Sequence, residues 1–167
     1  HSMEHGDHVA LNYDLDAPLV ECTSIEDWKE KAKGHKVFVT PHHMGYQGGY
    51  RGYNWKCFTE GDITPFVEMY SRHGLAESDQ GDYPYLHDMG PRQWEGTIQY
   101  GLELGNKFGI MASTDQHSGY PGSYGDGRIG VLAPSLTRDA IWEALRTRHV
   151  CAATGDKIII DFRLNDA

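Results

Sequence analysis

The sequence predicts an α/β fold with a mostly parallel sheet, on two observations. Short apolar runs at 36–40, 65–71, 108–114 and 129–133 alternate with segments that carry helix signals. Ligand-type side chains follow or sit within three of those runs: Pro41-His42-His43 after the first, Glu68 inside the second, and Asp115-Gln116-His117 directly after the third. In parallel α/β folds the strand C-termini open onto one face, where catalytic groups collect on the following loops. About four βα units are visible, whereas a closed barrel takes ~250 residues, so the expectation is part of a larger α/β unit.

The elements follow in order. His8-Val9-Ala10-Leu11-Asn12-Tyr13 alternates weakly and predicts one short strand before the turn-prone stretch 14–18. Ser24 with Asp27 resembles a capping box, and a helix is expected from Ile25 to Lys33, with Gly34 stopping it. After strand 36–40 comes a loop, 45–55, whose glycines permit close backbone approach and whose aromatics and Arg51 supply contact surface. Strand 65–71 leads into a polar stretch, 73–88, without periodicity and long enough to suggest a functional loop. Pro91 sits where a helix can start, and Trp94, Ile98, Leu102 and Leu104 give it an apolar face that Gly105 closes. Strand 108–114 returns the chain to the core, and a Gly/Tyr-rich loop, 118–127, leads to the run 129–133. Ser135 or Thr137 then caps a helix with Asp139 in its first turn and Arg146, Arg148 and His149 towards its end, matching the macrodipole. The tail, 157–164, reads as a final strand.

Composition narrows the function classes. With 39% hydrophobic and 23% charged residues the chain has the make-up of a globular domain, so disorder is not expected. Lys plus Arg total 15 against 24 Asp plus Glu, a formal net charge of -9. That balance disfavours nucleic-acid binding and suits a bound cation. No apolar stretch approaches the roughly 18–20 residues of a membrane span. Three cysteines without a C-x-x-C pattern suggest neither a disulfide framework nor a cysteine zinc site, and they leave the compartment open.

Imidazole and carboxylate together suit zinc, iron or manganese, whereas an all-oxygen shell suits magnesium or calcium. His42, Asp115 and His117 form such a mixed set. A lone D-x-H is equally the pattern of a loop Asp capping a turn beside an exposed His; its place after a core-like strand favours the metal. The doublet leaves His42 and His43 both open, with His42 preferred. Glu68 lies in an apolar pattern, where an unpaired carboxylate is costly to bury, so it needs either a metal or a basic partner. His73 and Glu77 are weaker candidates, as ligands or as substrate contacts. Tyr46, Tyr50, Arg51 and Tyr53 are either pocket walls, with Arg51 able to hold a phosphate or carboxylate, or an aromatic surface loop. Cys57 has no evident base partner, and Ser113, Asp115 and His117 are too close in sequence for a nucleophilic triad.

Thr40-Pro41-His42-His43, Val67-Glu68-Met69-Tyr70-Ser71-Arg72-His73-Gly74 with Glu77, and Phe108-Gly109-Ile110-Met111-Ala112-Ser113-Thr114-Asp115-Gln116-His117-Ser118-Gly119 resemble successive motifs of the PHP (polymerase and histidinol phosphatase) superfamily. Thr137-Arg138-Asp139-Ala140-Ile141-Trp142-Glu143-Ala144-Leu145 and Ala152-Ala153-Thr154-Gly155-Asp156-Lys157-Ile158 are similar to the ending of an uncharacterised branch of it. The resemblance implies a partial distorted (βα)7 TIM-like barrel, with residues 1–167 forming the C-terminal portion of one hydrolase domain truncated at both ends. It further implies a centre of two or three divalent transition ions, zinc, manganese or iron, with His42, Glu68, Asp115 and His117 as ligands. The H-x-H that opens the family pattern is absent, so the resemblance places part of the centre upstream.

The function this implies is hydrolysis of a small-molecule phosphoester by metal-activated water. Two rivals stand beside it: a non-catalytic PHP-like domain that binds a metal or ligand, and an amidohydrolase-type hydrolase using the same class of ligands.

Overall fold

A computed structural model describes residues 4–17, 19–61, 63–81, 88–120 and 126–165. Residues 82–87 of the expected loop 73–88 and residues 121–125 of the expected loop 118–127 fall outside these residues. Strand β1 (Asp7–Asn12) is followed by helix α1 (Ile25–Lys31), which begins where the Ser24 hydroxyl accepts the Asp27 N–H at 3.1 Å. Strand β2 (Val37–His42) then pairs antiparallel with β1, Asp7 lying opposite His42. Strand β3 (Phe66–Ser71) pairs antiparallel with the short β4 (Gly74–Leu75) and parallel with β5 (Gly109–Ala112). Helix α2 (Ile98–Glu103), capped by Thr97, precedes β5. Strand β6 (Gly127–Val131), helix α3 (Arg138–Arg146) and strand β7 (Val150–Thr154) complete the order, with β6 and β7 antiparallel.

The expected barrel is not present. Among the described residues the strands form two sheets of two strands and one of three, with β3–β5 the one parallel pair. The helices span only 7, 6 and 9 residues, roughly 9 to 14 Å each, too short to form an outer ring. The physical reason lies in burial. Strands of a parallel barrel are covered on both faces, whereas β1 and β7 are largely exposed or half-buried along their length. The expected tail strand is absent too: 157–164 has no strand assignment, and Ile159 is 95% exposed. Among the described residues no strand pairs with that stretch. Strand β7, in contrast, occupies a stretch whose alanines gave little strand signal.

Two apolar clusters support the site. Met44, Tyr53, Trp55, Val67, Ala76 and Ile98 form one, and Trp28, Ala32 and Val39 the other. The first locks the 45–55 loop onto β3 and α2, with the Trp55 indole donating to the Thr97 carbonyl at 3.0 Å and stacking on Phe108 at 5.2 Å. The expected close approach in that loop is real at Gly52, where a Cβ would stand 1.9 Å from the Tyr46 carbonyl oxygen. The expected apolar face of α2 is narrower than its pattern, because Ile98 is buried while Leu102 and Leu104 are 51% and 53% exposed.

Gly101 tests that packing. Ala in place of Gly ordinarily gains about 1 kcal/mol within a helix, but a Cβ here would lie 2.2 Å from Trp55 Cζ2. Overpacking costs about 1–3 kcal/mol, so Gly101→Ala should lower stability in urea denaturation. A stabilised variant would contradict the Trp55–α2 contact.

A second expectation concerns acid. Burial holds the His8 imidazolium down to about 4, against the 6.5 of a free histidine. The folded state therefore resists a proton that the unfolded state accepts. The His8 contribution is complete above pH 6.5 and is lost as pH falls towards 4, by on the order of 3 kcal/mol. His8→Phe should flatten the stability profile across that window; an unchanged profile would exclude His8 as its source.

Candidate metal centre

The C-terminal ends of β2, β3 and β5 meet, and what meets there is imidazole and carboxylate. Asp115 Oδ2 is the focus: His43 Nε2 lies 2.9 Å from it, His73 Nε2 3.2 Å and His42 Nε2 3.7 Å. The Nδ1 of each ring faces a different carboxylate. Glu68 Oε2 lies 2.5 Å from His42 Nδ1, Asp7 Oδ2 lies 2.9 Å from His43 Nδ1, and Asp88 Oδ1 lies 3.1 Å from His73 Nδ1. An imidazole that donates its Nδ1 proton outward keeps an Nε2 lone pair facing inward. Metal-ligating histidines are commonly held in this way.

Local backbone geometry makes the convergence possible. Successive side chains on a strand point to opposite faces, so a His-His doublet would ordinarily separate its rings. His43 instead has φ 55, and its ring lies 3.6 Å from that of His42. Asp115 likewise has φ 46. Positive φ is uncommon outside glycine, though His and Asp accept it more readily than most, and strained residues of this kind gather at functional sites. The β3–β5 ladder shifts register between Glu68 and Tyr70, a bulge-type irregularity that can re-aim a side chain. Glu68 is only 5% exposed.

The electrostatics are strongly coupled. Burial opposes charge on His42, yet hydrogen bonds to Asp115 and Glu68 outweigh it and push the imidazolium up to about 9. His43 is raised for the same reasons, burial being outweighed by Asp115 and Asp7. Burial would raise Asp115, but His42 and His43 hold it well below the usual carboxylate range. Asp7 is lowered, against its burial, by His43 and Arg51. Acidic groups here prefer to be charged beside cations, and a divalent ion can take the place of the imidazolium protons.

The donor atoms form two groups, His42–His43–Asp115 and His73–Asp115–His117, each with all atoms within 4.8 Å of one another. Asp115 belongs to both. Nitrogen and oxygen donors in this mixture suit zinc, manganese or iron, so the residues fit the expected kind of ion.

The fold treats the expected residues differently from one another. His42, Asp115 and His117 fall in these groups, and so do both members of the doublet and His73. Glu68 lies outside both groups; it accepts from His42 Nδ1, from the His43 N–H at 3.3 Å and from the Ser113 hydroxyl. Its place is that of an orienting carboxylate behind His42. Glu77 is exposed, and its backbone carbonyl accepts the Gln99 N–H at 3.0 Å. Arg51 reaches the edge of the cluster, with Nη1 3.3 Å from Asp7 Oδ2. Tyr46 presents its ring to His43 at 6.2 Å, whereas Tyr53 packs in the core.

Sequence reasoning missed Asp7 and Asp88. Asp7 lies at the start of a weakly patterned strand and Asp88 at the end of an aperiodic loop, so neither carries a local signal. It also gave Cys57 no partner, whereas His5 Nδ1 lies 2.9 Å from its sulfur; burial raises that thiol.

The comparisons with known proteins lead to bacterial relatives. A protein of Chlamydia trachomatis serovar D is 28% identical over 127 residues, covering 70% of this chain and 20% of its own length. One from Chlamydia muridarum is 29% identical over 112 residues, covering 60% and 18%. Both are described only as uncharacterised. This chain spans about a fifth of the length of the relatives it matches. No family model matches it, and no solved structure matches it. No helix among the described residues is long and apolar enough to cross a membrane.

The shared position of Asp115 gives a stoichiometric prediction. Asp115→Ala should abolish metal loading at both groups, whereas His117→Ala should remove one ion at most, as read by inductively coupled plasma mass spectrometry on folded protein. Full loading of Asp115→Ala would refute the shared-ligand geometry.

Proposed function

We propose that this chain carries the metal centre of a metal-dependent hydrolase, with phosphoesters as the substrate class. The observation that carries this reading is the convergence of three imidazole Nε2 atoms on Asp115, each ring backed by its own carboxylate. The choice of phosphoester rests on the resemblance of the strand-end motifs to the PHP superfamily, and it does not extend to that family's barrel. When bound, divalent transition ions supply Lewis-acid polarisation of an ester oxygen and a water acidified towards neutral pH.

The residues of this chain do the positioning. His42 and His73 present lone pairs from fixed rings, because Glu68 and Asp88 hold their Nδ1 atoms, and His43 Nε2 completes the set beside Asp115. Asp115 offers a carboxylate to both donor groups, so it would help hold an ion at either one. Charge balance favours a pair. Four carboxylates, Asp7, Glu68, Asp88 and Asp115, stand with Arg51 in the cluster. One divalent ion leaves that set net negative beside neutral imidazoles, whereas two make it net positive and receptive to an anionic ester. Arg51, its side chain 38% exposed at the cluster edge, is placed to meet a substrate oxygen.

The test is turnover of an aryl phosphomonoester, an aryl phosphodiester and an aryl amide by protein reconstituted with zinc, manganese or iron. Phosphate-ester hydrolysis that a chelator abolishes and added metal restores is expected. Amide hydrolysis in its place would move the assignment to an amidohydrolase-type reaction. Stoichiometric metal with no turnover on any substrate would make the centre a non-catalytic one.

A further inference from the structure

Asp7 stands apart from the other carboxylates of the cluster. Glu68 lies within β3 and Asp88 in the loop that follows His73, whereas Asp7 opens β1 and reaches the centre through the pairing of β1 with β2. It is 3% exposed, and its Oδ2 meets His43 Nδ1 at 2.9 Å and Arg51 Nη1 at 3.3 Å. We propose that Asp7 is the positioning residue for His43, fixing its tautomer and ring orientation so that Nε2 faces the ion held with Asp115. The inference rests on the metal-centre reading given above and adds a residue that is not itself a ligand.

Three features support it. His43 has positive φ, which takes its side chain out of the strand's alternation, and both ring nitrogens meet side chains from other segments, Asp7 and Asp115. The Nδ1 contact with Asp7 and the Nε2 contact with Asp115 engage the ring at both nitrogens, at 2.9 Å each. Without an ion both nitrogens face a carboxylate; with an ion taking up Asp115, the buried carboxylate of Asp7 would keep the ring proton on Nδ1 and leave Nε2 free for the metal. Without Asp7, the other tautomer puts a proton where the ion must bind. Arg51 shares the same carboxylate oxygen, keeping Asp7 charged and aligned.

The experiment compares the unsubstituted protein with Asp7→Ala and Asp7→Asn, using cobalt(II) as the probe. Affinity is read by competition with a chromophoric chelator and ligand field by the visible spectrum. Loss of such an outer carboxylate weakens metal binding by about 10- to 100-fold, so that loss is expected for Asp7→Ala, with an altered cobalt spectrum. Asp7→Asn keeps an acceptor oxygen without the charge and should fall in between. If both variants bind cobalt as tightly as the parent with the same spectrum, the inference is overturned, even if their metal-free melting temperatures drop. Failure of the parent itself to take up cobalt overturns the metal reading and this inference with it.

Discussion

Asp115 is the group on which the site depends. A single carboxylate oxygen lies within 3.7 Å of three imidazole nitrogens from two different segments. In the protein alone Asp115 and Glu68 favour the protonated ring of His42 and push it up to about 9 against its burial, and Asp115 and Asp7 raise His43 in the same way. Burying several charged groups together is costly unless each is paired and hydrogen-bonded. The cluster meets that requirement in layers, with imidazoles around Asp115 and further carboxylates behind the imidazoles. The outer carboxylates meet the Nδ1 atoms and leave the Nε2 atoms to the inside, so an ion held at Nε2 would not compete with those contacts.

The fold exists around this constraint in a compact way. β2, β3 and β5 are short, yet their ends coincide because β3 and β5 run parallel and the Thr40 hydroxyl of β2 meets the Phe66 carbonyl of β3 at 3.3 Å. The positive φ values at His43 and Asp115 occur just after β2 and β5, where the chain must turn from sheet into site. Below them, the Trp55–Phe108 stack and the buried Met44 and Val67 give the rim a rigid floor. β1 has little core of its own and contributes chiefly through Asp7, which ties an edge strand to the chemistry.

Much of this was legible in the residues, and the failures have physical causes. Ser24, Thr97 and Thr137 cap helices that local patterns marked, in two cases at the position the pattern named. His42, Asp115 and His117 stood out because polar residues just after apolar runs are conspicuous, whereas His73, two residues further into its loop, was a weaker candidate. Strand direction was not legible: β1 and β2 flank a helix, which suggests a parallel crossover, but the exposure of β1 fits an antiparallel edge. The Ile158–Ile160 run has strand propensity, but among the described residues no strand pairs with it, so propensity alone misled. Asp7 and Asp88 could not be found because their roles arise from pairing across 36 and 15 positions, a distance at which sequence patterns carry no information about contact.

Whether an ion sits where the imidazoles point is read most directly by anomalous diffraction at the zinc edge from crystals of zinc-loaded protein. A peak is expected about 2.0–2.2 Å from His43 Nε2 and an Asp115 carboxylate oxygen, with a second peak on the His73–His117 side. Zinc found only on surface histidines, with the Asp115 cluster unchanged and still proton-linked, would contradict the metal-centre reading.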